Sequence, residues 1–402
     1  MLNKKVIFVI KCMTGGGAER VLSLIASVVA EKDIDVKILL THQKLAEADI
    51  RDVETKNGIE IISVSDNAKE TFVGSILKKV LLFVVRIMLK IGMKFSDKIY
   101  DKALVLKYFY NNFDKIFWMK RYLAKSKKAT IVAFLYDSMY YSLLAKKRSN
   151  KLIISERADP CQYLHHRTNR AFILNEFEKA DAFVFQSPDV KKWYEANTGV
   201  RGTVIFNPIK ADLPEPFFGE RKKCIVNFCR INPQKNIPLL LSAFDKFSES
   251  VPGYELHIYG DASSEADIEY YNISVEIKNS LPCAEKIHFF SARKDIHNVI
   301  RDYAMFVSSS DFEGMSNSML EAMAIGLPCV CTDCPAGGAR AVINDGENGL
   351  LVPVNDAKAL GDAMIKVVSE QGLSEKLSLN SRLIKNTQSL EKITEKWMDI
   401  IL

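Results

Sequence analysis

The run Ser308-Ser309-Ser310-Asp311-Phe312-Glu313-Gly314-Met315-Ser316-Asn317-Ser318-Met319-Leu320-Glu321-Ala322-Met323-Ala324-Ile325-Gly326-Leu327-Pro328 decides how this chain is read. An apolar stretch, residues 304–308, leads into it, a polar loop follows, and a helical segment begins around Ser318. Gly326 stops that segment and Pro328 opens the next apolar run, because glycine suits a helix end and proline cannot continue the helix. Strand, loop, helix and strand in succession are the unit of a parallel sheet, whose neighbouring strands need a crossover. Two carboxylates stand eight residues apart here, Glu313 in the loop and Glu321 in the first turn of the helix. Gly314 and the free amides of Met315, Ser316, Asn317 and Ser318 offer donors to an anionic or hydroxyl-rich ligand. Both carboxylates also have plainer readings. Ser318-x-x-Glu321 fits a capping box, and Glu313 fits an ordinary loop carboxylate.

The same alternation extends in both directions. Towards the N-terminus, apolar runs fall at 6–10, 36–40, 59–64, 130–135, 152–155, 182–186 and 204–206. Asn207-Pro208 breaks the pattern, and a polar stretch over 210–223 carries no periodicity, which places a domain boundary there. A second set follows at 224–228, 256–259, 287–290, 304–308, 328–331 and 349–352. The expected fold class is α/β, with two doubly wound parallel-sheet domains, one over 1–208 and one over 209–385. In such sheets ligands bind outside the carboxyl ends of the strands. The last residues form a helix with Leu390, Ile393, Trp397, Ile400 and Ile401 on one apolar face.

Three further loops stand where strands end. Thr14-Gly15-Gly16-Gly17-Ala18-Glu19-Arg20 precedes an amphipathic helix. Its glycines let a backbone approach a ligand, or simply make a tight turn. It lacks the third glycine of a dinucleotide fingerprint, and Thr41-His42-Gln43 stands where that fingerprint places an acid, so a dinucleotide is disfavoured. In Cys229-Arg230-Ile231-Asn232-Pro233-Gln234-Lys235-Asn236, Arg230 and Lys235 suit a diphosphate, one as a planar fork and the other as a point charge. Two solvated loop charges would look the same. Asp333-Cys334-Pro335-Ala336-Gly337-Gly338-Ala339-Arg340 reads either as a second close approach to the same cleft or as a turn.

Of 402 residues, 48% are hydrophobic and 26% charged, proportions of a folded protein large enough for two α/β cores. The net charge of +6 is unevenly spread. Residues 71–128 hold 14 Lys/Arg against Asp97, Asp101 and Asp114, a net +11, leaving the remainder slightly acidic. The segments 76–95 and 103–124 within this insertion alternate apolar and basic residues at helical spacing. Such helices either lie on an anionic membrane surface or pack on the sheet with a solvated basic face. No 18-residue uncharged apolar run exists, so no transmembrane helix is expected, and residues 6–10 are too short for a signal-peptide core. The eight cysteines are expected to be free thiols of a reducing cytoplasm. Cys329-x-Cys331-x2-Cys334 lacks the second ligand pair of a zinc site, so no metal is expected.

At these residues the chain resembles glycosyltransferase family 4, retaining enzymes of the GT-B fold. The resemblance rests on Gly16-Gly17-Ala18-Glu19-Arg20-Val21, Asn207-Pro208, Arg230 with Gln234-Lys235-Asn236, Glu313-Gly314-Met315-Ser316-Asn317 and Glu321-Ala322-Met323-Ala324 before Gly326 and Pro328. Thr332-Asp333-Cys334-Pro335 with Gly337-Gly338, and Asn348-Gly349-Leu350-Leu351-Val352, complete it. It is nearest the branch that builds bacterial polysaccharides and lipid-linked oligosaccharides. The resemblance implies two Rossmann-like domains facing a cleft, with a helix over 386–402 crossing back to the N-terminal domain. It implies that Arg230 and Lys235 clamp the donor diphosphate, Glu321 binds the ribose and Glu313 the transferred sugar. The amides of Gly314, Met315, Ser316, Asn317 and Ser318 would lie near sugar and phosphate, Gly16 and Gly17 would approach from the other domain, and Phe290 would meet the base. Relatives often carry glycine near Ser291.

Where many relatives place a histidine, this chain has Ser155-Glu156-Arg157, which makes Glu156 the candidate acceptor-side group; a structural pair with Arg157 is the competing reading. The implied partners are a nucleotide-diphosphate sugar, a lipid-linked glycan and, through residues 71–128, an anionic membrane surface on the cytoplasmic side, with no cofactor and no nucleic acid. Two rivals stay open: a nucleotide-sugar epimerase of the same fold, and a non-catalytic nucleotide-sugar-binding module.

Overall fold

Thirteen short, mostly apolar runs become the strands of two parallel sheets in the computed structural model, which describes residues 4–48, 58–69 and 72–402. Met1, Leu2 and Asn3, and Thr71 at the start of the basic insertion, lie outside those residues. The first sheet contains β1 (Lys5–Ile10), β2 (Asp35–Leu40), β3 (Glu60–Ser63), β4 (Thr130–Phe134), β5 (Lys151–Ser155), β6 (Ala182–Phe185) and β7 (Thr203–Val204), ordered β3-β2-β1-β4-β5-β6-β7. The second contains β8 (Lys222–Phe228), β9 (Glu255–Tyr259), β10 (Ile287–Phe290), β11 (Tyr303–Ser308), β12 (Cys329–Thr332) and β13 (Leu350–Val352), ordered β10-β9-β8-β11-β12-β13. Each order reverses beside its first strand, as a doubly wound sheet does. The central strands read as continuous apolar runs because helices cover both faces. Val6, Ile7, Phe8, Val9 and Ile10 are all essentially buried.

Two units result, one of Met1–Phe206 with Ile393–Leu402 and one of Asn207–Lys392. The helix Leu390–Ile401 thus ends in the first unit, where it buries Ile393, Trp397 and Ile401. Trp397 stacks on Phe134 at 5.7 Å, and Thr130 Oγ1 donates to the Ile401 carbonyl at 3.0 Å. Fully burying an aliphatic side chain of this size contributes roughly 1.5–3 kcal/mol, so Ile393 and Ile401 alone anchor the chain end.

The basic insertion is three helices, Phe72–Phe95, Asp97–Asn111 and Phe113–Lys125. The segment expected as one helix over 103–124 is broken at Asn112, whose backbone leaves the helical region. Its amide side chain explains the break: Asn112 Oδ1 accepts from Tyr141 and Nδ2 donates to the Tyr108 carbonyl. The third helix buries Phe113, Ile116, Met119 and Leu123 in its own unit. The first does not do the same. Val80, Phe83, Met93 and Phe95 are 59–80% exposed on it, interspersed with Lys79, Arg86, Lys90 and Lys94. No helix among the described residues is long and apolar enough to cross a membrane.

Candidate active site

In the second unit, the loops after β8 and β11 are bonded to one another. After β8 the chain makes a single turn, Pro233–Lys235, and enters the helix Ile237–Ser250 through Asn236. Asn236 sits at φ +43°, a left-handed conformation that asparagine tolerates better than most residues. Its Oδ1 caps the Leu239 amide at 3.2 Å while Nδ2 donates to Asp311 at 2.6 Å. Gln234 donates to the Phe312 carbonyl and accepts the Asp311 amide through its own carbonyl. Ser309 Oγ donates to the Lys235 carbonyl at 2.8 Å. These bonds hold Lys235 against Glu313, and the two form a largely buried ion pair.

Burial is the largest single influence on the Lys235 ammonium and lowers it, but the charge and hydrogen bond of Glu313, with Cys229, together outweigh burial and leave the pKa raised. Lys235 is therefore a fixed positive charge. Ser310 Oγ donates to the same Glu313 oxygen at 3.1 Å. Behind it, Thr332 and Cys334 both donate to the Ser310 carbonyl, securing the turn. Arg230 is exposed and makes no ion pair among the described residues.

The helix after Glu313 spans Asn317–Ala324 and is capped by Ser316, whose Oγ accepts the Met319 amide at 3.3 Å. The competing reading of Ser318 and Glu321 as a capping box is thus ruled out, and Glu321 lies in the second turn rather than the first. Its carboxylate instead meets the buried His297, Oε2 to Nε2 at 2.8 Å. Phe228 at the end of β8 packs edge-on against that imidazole. His297 has no local sequence signal and was not anticipated. Asn207, one of the residues that carry the resemblance, also reaches this loop: Nδ2 donates to the Met315 carbonyl and to Asn317 Oδ1. It holds the backbone whose amides were expected to face a ligand.

The 333–340 loop closes on the same segment. A Cβ at Gly338 would stand 1.8 Å from the Gly314 carbonyl oxygen, so only glycine permits this approach. Phe290 ends β10 and is 40% exposed, its ring stacked on Tyr259 at 4.8 Å. Cys329, Cys331 and Cys334 are buried free thiols, with burial pushing Cys334 up to about 12. Lys235, Glu313 and Ser310 are bonded to one another, with Arg230 exposed just beyond β8, whereas Glu321 lies buried against His297 and Phe290 stands exposed at the end of β10. Such a set of groups can neutralise an anion while accepting hydrogen bonds from hydroxyls.

In the first unit, Gly16 caps the helix Gly17–Ala30. Glu19 turns back to accept the amides of Thr14 and Gly16, and a Cβ at Gly16 would stand 2.9 Å from its Oε1. Gly15 takes φ +84° with open space where a side chain would be. Glu156, immediately after β5, is 2% exposed. Its Oε1 accepts the amides of Arg157 and Ala158, and its Oε2 accepts the hydroxyls of Tyr163 and Tyr194. Burial raises its pKa against those hydrogen bonds. Arg157 donates Nε to Ser155 at 2.7 Å and lies over the rings of Phe134 and Trp397.

Residues 209–388 match the family described as Glycosyl transferases group 1. Over 402 residues the chain is 23% identical to the Campylobacter jejuni GalNAc-alpha-(1->4)-GalNAc-alpha-(1->3)-diNAcBac-PP-undecaprenol alpha-1,4-N-acetyl-D-galactosaminyltransferase, covering 99% of this chain and 98% of that one. Several other curated relatives match only in part, and the chain spans about half their length or less. Among solved structures, a mutant of S. aureus TarM in complex with Fondaparinux, alpha-GlcNAc-glycerol and UDP superposes with a TM-score of 0.74 at 15% identity, over 99% of both chains. Anabaena HepE in complex with UDP and glucose gives 0.72 at 16% identity, again over 99% of both. The fold is GT-B, built from two Rossmann-like parallel-sheet domains. Together with the group 1 match, these likenesses support a GT-B glycosyltransferase.

Proposed function

We propose that this protein is a retaining glycosyltransferase that moves a sugar from a UDP sugar, a hexose or N-acetylhexosamine donor, to a lipid-linked glycan in bacterial surface polysaccharide synthesis. The observation that carries the reading is the Lys235–Glu313 pair beside the exposed Arg230, at the carboxyl ends of β8 and β11. A nucleoside diphosphate leaving group gains negative charge as the glycosidic bond breaks. Fixed cations aimed at it stabilise that charge without a metal ion. Arg230 supplies a planar fork and Lys235 a point charge. Glu313 accepts hydroxyls of the transferred sugar, Glu321 those of the ribose, and Phe290 meets the base. The UDP in the complexes of TarM and HepE supports a uridine donor, and the undecaprenol-linked acceptor named for the Campylobacter relative supports the acceptor class.

Incubating the enzyme with a panel of UDP and GDP sugars, and reading the released sugar's anomer by NMR, tests this. Slow hydrolysis of a UDP sugar with retention is expected. An inverted product, or no turnover of any donor, overturns it. The exposed apolar strip of the helix Phe72–Phe95, set among basic residues, supports attachment to the cytoplasmic face of an anionic membrane. Co-flotation with anionic liposomes at low salt is expected, and failure to float overturns the attachment.

A further inference from the structure

Away from the loops just described, four side chains able to bind a metal converge on one face of β8, β9 and β10. The parallel register sets Cys224 beside Glu255 and His257 beside His288. Residues two apart on a strand share a face, which puts all four on the same side. The opposite face, with Ile225, Leu256, Ile258 and Ile287, belongs to the apolar core. A ring nitrogen of His257, a carboxylate oxygen of Glu255 and Cys224 Sγ lie within 4.8 Å of one another. His257 Nε2 is 2.9 Å from Glu255 Oε2, and His288 Nε2 is 3.8 Å from the same oxygen.

The surroundings orient this group. Tyr303 OH sits 2.9 Å from His257 Nδ1, which fixes the ring and leaves Nε2 directed at the cluster. Metal-bound imidazoles are commonly held through their second nitrogen in this way. The side chains of Glu255 and His288 are 51% and 40% exposed while that of His257 is only 12%, so an ion has a path from solvent to a sheltered ligand. Two imidazoles, one thiol and one carboxylate make a four-donor set.

We infer that Cys224, Glu255, His257 and His288 form a site for a thiophilic divalent transition metal, with zinc the ion that best fits their chemistry. Magnesium and calcium prefer all-oxygen sites, whereas nitrogen and sulfur donors select later metals. Neighbouring donors about 2.0–2.3 Å from a tetrahedral zinc stand roughly 3.3–3.8 Å apart. The separations of 2.9 and 3.8 Å bracket that range. Binding replaces the Cys224 thiol proton, so affinity rises with pH. The ion would staple three adjacent strands. Its role is structural, since Cys224 precedes Arg230 by six residues, roughly 20 Å along an extended chain.

Titration of chelator-stripped protein with Co2+ under anaerobic conditions tests the site. One equivalent should give a thiolate-to-cobalt charge-transfer band and tetrahedral visible bands, both removed by Zn2+. Cys224→Ser should abolish the charge-transfer band, and His257→Ala should weaken binding at least about tenfold. Cys161→Ser, at an exposed thiol on the other unit, should change neither. Zn2+ should also raise the unfolding temperature of the unmodified protein but not of Cys224→Ser. Absence of the thiolate band, or its survival in Cys224→Ser, overturns the proposal.

Discussion

Glu313 and Glu156 both follow the carboxyl end of a strand in a doubly wound sheet, and both have a cationic neighbour, yet their surroundings differ. Glu313 is bonded to Lys235 and Ser310 in a loop that Arg230 leaves open to solvent. Glu156 is 2% exposed, and four donors occupy its two oxygens. Position at a strand end therefore does not by itself decide how a carboxylate is engaged. What distinguishes the two is whether charge is left within reach of a ligand. The Lys235 ammonium stands above its ordinary value although it is buried, with Glu313 foremost among the groups that raise it, and under the proposed function a diphosphate shares that charge. Glu156 has its bonding satisfied by its own unit and organises Tyr163 and Tyr194.

The largest expected effect breaks the first half of this comparison. Lys235→Ala should lower kcat by about 10²–10³, the cost of removing one group that stabilises developing charge. Its unfolding free energy should fall as well, by about 3 kcal/mol, because the pair is largely buried and Glu313 is left without its cation. Steady-state turnover of the UDP sugar alongside denaturant unfolding separates the two. Near-normal turnover in a folded variant would show that the pair is structural.

Glu156→Ala should also cost about 3 kcal/mol of stability, because two tyrosine hydroxyls and two amides lose their acceptor. Turnover per folded molecule should change only a few-fold. The isosteric Glu156→Gln sharpens this through pH. Burial raises the Glu156 carboxyl above its ordinary value of 4.5, so the folded protein binds that proton more tightly than the unfolded chain does. The associated stability is fully present below 4.5 and is lost as pH rises through the folded value. The margin of the unmodified protein over Glu156→Gln should therefore shrink from pH 4.5 upward, as followed by unfolding midpoints. A variant of full stability and no transfer would instead make Glu156 an acceptor-side group of the reaction.

The strands were legible because a parallel sheet covered on both faces needs continuous apolar runs, and 6–10 or 224–228 could be little else. Arg230, Lys235 and Glu313 drew attention because each stands in a loop that follows such a run. What local sequence could not resolve were contacts between distant residues. Ser316 and Ser318 are equally good caps by type, and the choice between them came from Asn207 and Gly338 holding the preceding backbone. The saturation of Glu156 depends on Tyr194, 38 residues away. The break at Asn112 depends on Tyr141 from the next crossover. Each is a polar side chain whose partner tertiary packing selects.

His297 sets the smallest effect and the finest distinction. Its Nε2 lies 2.8 Å from Glu321 Oε2, and both side chains are more than nine-tenths buried. If Glu321 binds the ribose, the imidazole fixes which way that carboxylate faces, while taking no part at the sugar carbon. Removing it should loosen the ground state and the transition state alike, which raises KM and leaves kcat nearly unchanged. The loss of one such bond to a charged group is worth about 1.5 kcal/mol, or roughly tenfold in KM. His297→Ala should show that split, and His297→Gln, which restores a donor, should recover most of it. A variant whose KM for the UDP sugar is unchanged while its unfolding midpoint drops would place His297 with Glu156, as a buried group that orders the fold.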